Sequence, residues 1–314
     1  MNKNFGNYFF LNYNLMSISI IEFKEILEHK GQISKISIFP NGNFVSISGD
    51  KSILLFDNNY NLIGKIEHAH DSYITDIYIE NNDNFITCSA DLSIKFWKKI
   101  NNNFICKNKI NNAQEYSLIK ILVINSKLLI TCGDDKIKIY NKTFLNEQFQ
   151  LMTIISNNNY LNSFLILLDK DILIIIGEEG TLFYKFSSLN FIKKINDVSC
   201  GGKNAIDRID NDRIIVGGRG DKIMKIVSLN KMRIIKELKN DFFTMGISVI
   251  KNKKAIITGG YTGKINIFSS DTYRKIFYIN NAHLHTISGF LILGDDDFVM
   301  SYSWDKKIKI WKIE

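Results

Sequence analysis

SWDKKIKIWK, residues 303–312, joins a tight turn to a short run of alternating apolar residues, and the pattern returns in SADLSIKFWK (89–98) and SGDKSILLFD (48–57). Period-two alternation behind a turn predicts a strand with one face buried. The first apolar residue of the run recurs at Ile53, Ile94, Ile137, Leu182, Met224, Ile265 and Ile308, with gaps of 41, 43, 45, 42, 41 and 43 residues. A period just above forty has room for four short strands and their turns, the length of one blade of a β-propeller. The sequence therefore predicts an all-β chain, a seven-bladed β-propeller of four-stranded antiparallel blades. A six-bladed or irregular ring is the alternative, because GEEGTLFYKF (177–186) keeps the period and loses the pattern.

Seven such units account for nearly all of the 314 residues, so one closed domain over 18–314 is expected, with 1–17 as an extension that can be disordered. The blade-ending third strands are expected near 53–57, 94–98, 137–141, 182–186, 224–228, 265–269 and 308–312. Further alternating runs, ISKISIF (33–39), ITDIYIE (74–80) and ISGFLIL (287–293), read as strands that precede them. Pro40 is the single proline, which leaves Gly, Asn and Asp to shape the loops; Asn101–Asn103 and Asn157–Asn159 read as connections between blades.

The net charge of +8 admits an acidic partner such as nucleic acid or an anionic membrane. Against that, Lys95, Lys138, Lys225 and Lys309 fall on alternating strand positions, where they are read as outward-facing residues that keep a sheet surface soluble. The four cysteines, Cys88, Cys106, Cys132 and Cys200, form no CxxC pair, and the expected setting is reducing and intracellular: cytoplasmic, with the nucleus open. No run of apolar residues is long enough for a membrane span.

These turn-and-strand units resemble the WD-repeat (WD-40) β-propeller family, closely in repeats one, two and seven and least in four and five. The resemblance implies that each repeat ends at the third strand of a blade. The last blade then needs an outer strand from elsewhere, and IIEFKEIL (20–27) is positioned to supply it and close the ring. It also implies a buried hydrogen-bond set: His70, Thr87, Asp91 and Trp97 in repeat two, and His283, Ser301, Asp305 and Trp311 in repeat seven. Repeat one offers His29, Ser46 and Asp50, with Phe56 in place of the Trp. The carboxylate accepts from the imidazole, the imidazole bonds the hydroxyl, and the hydroxyl reaches the indole N–H, so these residues are structural, not catalytic. Repeat three has Asp134 or Asp135 and Tyr140; repeat five has Asp221, with Gly217 at the hydroxyl position; repeat six has Thr258 and Thr262 and no His.

His68 with His70 and His283 with His285 have the spacing of paired metal ligands, but each pair commits one member to the structural set and no further cluster completes a site. GGRGDK (217–222) lacks the spacing of a phosphate loop and reads as a turn, and Asn141-Lys142-Thr143 is a sequon that matters only in secretion. No catalytic residue, metal or cofactor is expected. By the family pattern, partners meet the turn before the third strand, at Gly49, Ala90, Gly133, Glu178, Gly220, Tyr261 and Trp304, and the residue after the start of the first strand, at Ser34, Thr75 and Ser288. Tyr261, Trp304 and Glu178 stand out, the first two as neighbouring aromatics. The resulting expectation is a non-catalytic scaffold or adaptor, monomeric by itself, that binds protein or peptide partners. The rival is an RNA- or ribonucleoprotein-associated propeller that uses its basic surface.

Overall fold

In a computed structural model that describes residues 18–133, 136–142, 148–156, 161–218 and 220–314, the chain lays down seven sheets of four antiparallel strands. The inner strands are Ile33–Ile38, Ile74–Asn81, Lys120–Ile124, Leu161–Leu167, Ile206–Arg208, Thr244–Ile250 and Ile287–Leu293. Each packs against the inner strand of a neighbouring blade, and Ile33–Ile38 meets Ile287–Leu293 to complete the ring. Among the described residues the only helical turn is the 3-10 segment Leu168–Lys170.

The ring closes through the start of the chain. Ile20–Ile26 pairs antiparallel with Ile308–Ile313, so blade seven takes its fourth strand from a segment that precedes blade one. Ser19 and Glu314 exchange backbone hydrogen bonds of 3.0 and 2.9 Å beyond that ladder. Lys307 reaches Glu25 at 2.7 Å and Lys309 reaches Glu22 at 2.8 Å across the same seam.

Burial explains which strands carry which residues. Second strands such as Phe44–Ser48 and Ala255–Gly260 are buried at every position, because neighbouring blades cover both faces. Alternation fades there, and hydroxyl-bearing residues must find partners inside the protein. Fourth strands such as Phe191–Ile195 are mostly exposed. The apolar core is divided into clusters between blades; one joins Ile47 and Ile53 of blade one to Ile74, Phe85 and Trp97 of blade two.

Four sequence readings shift. Asn101 and Asn102 form the turn between the third strand Ile94–Ile100 and the fourth strand Asn103–Ile110 of blade two, not a connection between blades. In blade four the bulge between Phe183 and Tyr184 matches the bulge between Phe96 and Trp97 in blade two, so the recurring first apolar position falls on Thr181, not Leu182. In blade five Val216 lies opposite Lys225, as Thr87 lies opposite Lys95, so Val216, not Gly217, occupies the hydroxyl position. The third-strand lysines are not simply solvated. Lys138 is buried, Lys95 Nζ donates to Ala69 O at 2.7 Å, and Lys225 Nζ donates to Asp197 O. The ammonium groups of Lys95, Lys225 and Lys309 tie the third strand to a loop or a neighbouring strand.

Candidate interaction face

The turn that precedes each third strand defines one face of the ring, and in blades one, two and seven a buried polar set fixes that turn. In blade seven His283 Nδ1 lies 2.9 Å from Asp305 Oδ2, His283 Nε2 lies 2.7 Å from Ser301 Oγ, and Trp311 Nε1 donates to Ser301 Oγ at 2.8 Å. Blade two repeats this with His70 and Asp91 at 2.9 Å, His70 and Thr87 at 2.8 Å, and Trp97 to Thr87 at 2.8 Å. Donors balance when the imidazole is neutral: Nδ1–H donates to the carboxylate, and the hydroxyl donates to Nε2 while it accepts from the indole. The carboxylate then reaches outward. Asp305 Oδ2 accepts from the Leu284 amide at 3.0 Å, and Asp91 Oδ2 accepts from the Asp71 amide at 2.9 Å.

Burial raises the Asp305 carboxyl, but hydrogen bonds from His283 and from the Leu284 and Lys307 amides outweigh it and bring it to about 2. Asp91 and Asp50 are likewise held below the carboxylate range, against their burial, by hydrogen bonds from His70 and Ser93 and from His29 and Ser52. Burial lowers His70, against the pull of Asp91.

Blade one keeps His29 with Asp50 at 3.0 Å and with Ser46 at 2.7 Å. Phe56 has no N–H to give and instead stacks on Phe44, with centroids 4.7 Å apart. In blades three and six, amides that the sequence reading passed over stand where the others have His. Gln114 Nε2 donates to Thr131 Oγ1 at 2.9 Å; Asn240 Nδ2 donates to Thr244 Oγ1 at 2.9 Å and accepts, through Oδ1, from Asn266 at 2.6 Å. The signal was available, because Gln114 precedes Thr131 by the same 17 residues that separate His29 from Ser46. Tyr140 donates past the hydroxyl to Ala113 O at 2.9 Å. Asp134 and Asp135, the turn candidates of repeat three, lie outside the described residues, as do the extension 1–17, the Asn157–Asn159 connection and Thr143 of the sequon.

On this face the backbone of the turn is pinned. Trp304 N donates to Thr286 O at 2.9 Å, Ala90 N to Tyr73 O at 3.0 Å and Gly49 N to Gln32 O at 2.8 Å. The side chains at these positions therefore stand on a rigid platform. Of the six partner-binding candidates, Tyr261 and Trp304 come together: their rings sit edge to face, 6.1 Å apart. Two residues outside the partner-binding candidates, Phe243 and His285, extend them into a strip. Phe243 meets Tyr261 at 6.0 Å, and His285 lies 5.5 Å from Trp304. Tyr261 is half exposed and the neighbouring Leu284 is 85% exposed. An aromatic immediately before the inner strand, as in Phe243-Thr244 and Tyr73-Ile74, is the sequence feature that marks this position.

The other candidates are placed differently. Ser34, Thr75 and Ser288 each sit at a bulge at the start of an inner strand. Thr75 Oγ1 donates to Leu118 O of the next blade at 2.6 Å, and Ser288 is buried. Glu178 is exposed in the two-residue turn between Gly177 and Gly180 of blade four, far along the ring from the strip.

His283 is committed to Asp305 and His285 faces Trp304, so that pair does not converge on a common point. Ser301, which shares hydrogen bonds with a His–Asp pair, is fully buried. Burial lifts the thiols of Cys88 and Cys200 to about 12 and about 11, which keeps them protonated and unreactive at neutral pH. No helix among the described residues is long and apolar enough to cross a membrane.

The family model for the WD domain, G-beta repeat, matches residues 22–57, 61–98 and 275–312. Each matched stretch joins the outer strand of one blade to the first three strands of the next, at blades one, two and seven. The WD repeats are those with a complete or nearly complete polar set, and blade seven matches together with the third strand that the N-terminal segment closes. Cilia- and flagella-associated protein 52 of Homo sapiens is 31% identical over 68 residues, 22% of this chain and 11% of that protein. The chain therefore aligns with about a tenth of that relative's length. WD-repeat propellers are in general protein-interaction scaffolds.

Proposed function

We propose that this propeller is a non-catalytic scaffold or adaptor that docks a protein or peptide partner on the strip formed by Phe243, Tyr261, Trp304 and His285. The observation that carries the reading is that strip: consecutive aromatic rings, part exposed, on turns whose backbone amides are already hydrogen-bonded. Exposed Trp and Tyr on a rigid surface lose little freedom on binding, and either one can contribute about 2 kcal/mol or more to an interface. Leu284 gives the strip an apolar edge. The partner that suits it is an apolar or aromatic segment.

The test compares wild type with a Trp304→Ala, Tyr261→Ala double variant in quantitative affinity purification from cells. Tyr278→Ala, which removes an exposed aromatic from an outer strand, is the control. The expected result is a fall of about tenfold or more in recovery of the specific partners with the double variant alone, at an unchanged melting temperature. Equal recovery by a folded double variant removes the strip as the docking site.

A further inference from the structure

The inner strands surround a cavity of about 450 Å³ at the centre of the ring. Its wall carries Lys35 from blade one, Lys120 from blade three and Lys203 from the loop ahead of the inner strand of blade five; Asp207 is the carboxylate that lines it. Asp76 lies buried behind Lys35, 2.6 Å from its Nζ, and also accepts from the Ile121 amide at 2.9 Å. Three ammonium groups thus face two carboxylates. Asp207 is raised by its burial, which weakens its claim to a full negative charge.

The two ends of the cavity differ. Each inner strand begins beside the turns that carry the aromatic strip, as the pairing of Ile33 with Ser48 shows. At that end the loop before blade five crosses the opening: Asn204 bridges to Gly246 of blade six, and its Nδ2 donates to Ser288 O of blade seven at 3.0 Å. Blades six and seven also approach closely there, since a Cβ on Gly246 would stand 2.5 Å from Gly289 Cα. The cavity continues toward Ile38, Ile79 and Leu291, late residues of their strands, and so opens on the opposite face.

Donor accounting shows what the cavity lacks. Each ammonium has three N–H groups. Lys35 uses two, on Asp76 Oδ1 and on Ile77 O at 3.1 Å; Lys120 uses two, on Ser163 Oγ at 3.0 Å and Phe164 O at 2.9 Å. Lys203 Nζ has no hydrogen-bond partner among the described residues, while its carbonyl accepts from Ser163 Oγ. Burial lowers the Lys203 ammonium to about 8, with Asp76 opposing and Lys35 adding to the shift. A partly exposed ammonium that lines the cavity without a protein acceptor, beside two others with donors to spare, suits an anion with several oxygens.

We propose that this cavity binds a small phosphate-bearing anion, which enters from the face opposite the aromatic strip and accepts from Lys203, Lys120 and Lys35. Phosphate suits compact ammonium donors that converge from different strands, and the volume admits a molecule of pyrophosphate size. The site is separate from the docking strip, so either can fail without the other.

Isothermal titration of the wild-type chain with pyrophosphate, with inorganic phosphate and with a short phosphoserine peptide tests the assignment. Pyrophosphate is expected to bind at one site per chain, more tightly than phosphate. Lys203→Gln is expected to weaken it by about tenfold or more, whereas Lys98→Gln, which removes the same charge from the outer surface, leaves it unchanged. Hydrogen exchange on the wild type gives a second measurement that needs no variant: pyrophosphate should slow the amides around Lys120 and around residues 203–207. No pyrophosphate binding at low salt, binding by the phosphoserine peptide alone, equal affinity in a folded Lys203→Gln chain, or no protection at those amides overturns the proposal.

Discussion

In blade seven a fully buried Ser301 bonds both His283 and Trp311, and the Asp305 of the same set fixes the turn that carries Trp304. At the corresponding place in blade four stands Ile175, opposite Leu182, within a strand buried throughout from Ile172 to Gly177. The blade-four turn is shorter, with Glu178 and Glu179 alone between the paired Gly177 and Gly180. Gly180, at a φ of +135°, permits it, since a Cβ there would stand 2.4 Å from Ile195 O. Both blades make four strands with the same bulge in the third and fourth. Apolar burial and repeat length are therefore enough to build a blade. The polar set does something else: it holds a longer turn at a defined place on one face, and there the aromatic strip stands.

If that division holds, the largest loss should come from the seam, not from any polar set. Deletion of residues 18–27 removes the outer strand of blade seven, its ladder to Ile308–Ile313 and the Glu22 and Glu25 ion pairs. It also uncovers Trp311 and Ile313. Several kcal/mol should be lost, a fall of about 10 °C or more in Tm by calorimetry, given about 2–4 °C for each kcal/mol in a large domain. A truncated chain that melts with the wild type refutes closure. Next in size, Asp305→Ala leaves a buried imidazole N–H and the Leu284 amide without their acceptor and should cost about 1–3 kcal/mol. Asp221→Ala in blade five, where the carboxylate is exposed and, among the described residues, bonds its own turn and Lys225, should cost under about 1 kcal/mol. Equal losses would mean that the polar set contributes no more than an ordinary turn. Trp311→Phe, which removes only the donor to Ser301, should cost about 1 kcal/mol in denaturant unfolding.

The same contrast accounts for what was legible in the sequence. Blades one, two and seven announce themselves because His, hydroxyl, Asp and Trp are distinctive residue types at fixed spacing, and closure follows from a strand that the count requires and IIEFKEIL can provide. Blade four was placed one residue out because an all-apolar strand carries no marker of register; only its bulge shows that Thr181 matches Ile94. Gln114 and Asn240 were missed because an amide can replace imidazole as a donor without resembling it. The lysine cluster of the channel was invisible for a different reason. Lys35, Lys120 and Lys203 lie in three separate blades, and only closure of the ring brings them to one cavity.

Acid should expose the polar sets in stages. Burial holds His70 neutral below its ordinary value near 6.5, so in the window beneath about pH 6.5 the unfolded chain binds a proton that the folded chain does not. Stability must fall as acid is added there. Asp305 has its folded value near 2 against about 3.9 when unfolded, so its contribution is complete above about pH 4 and is lost as the pH drops toward 2. Both effects have the same sign, and both belong to blades with a His–Asp pair. Asp305→Asn should therefore begin with a lower Tm at pH 7, and its curve should converge on the wild type between about pH 4 and 2, because the variant has no carboxylate left to protonate. Curves that stay parallel across that interval would show that the Asp305 carboxylate has no special stability in the folded ring, and the account of the blade-seven turn would lose its electrostatic basis.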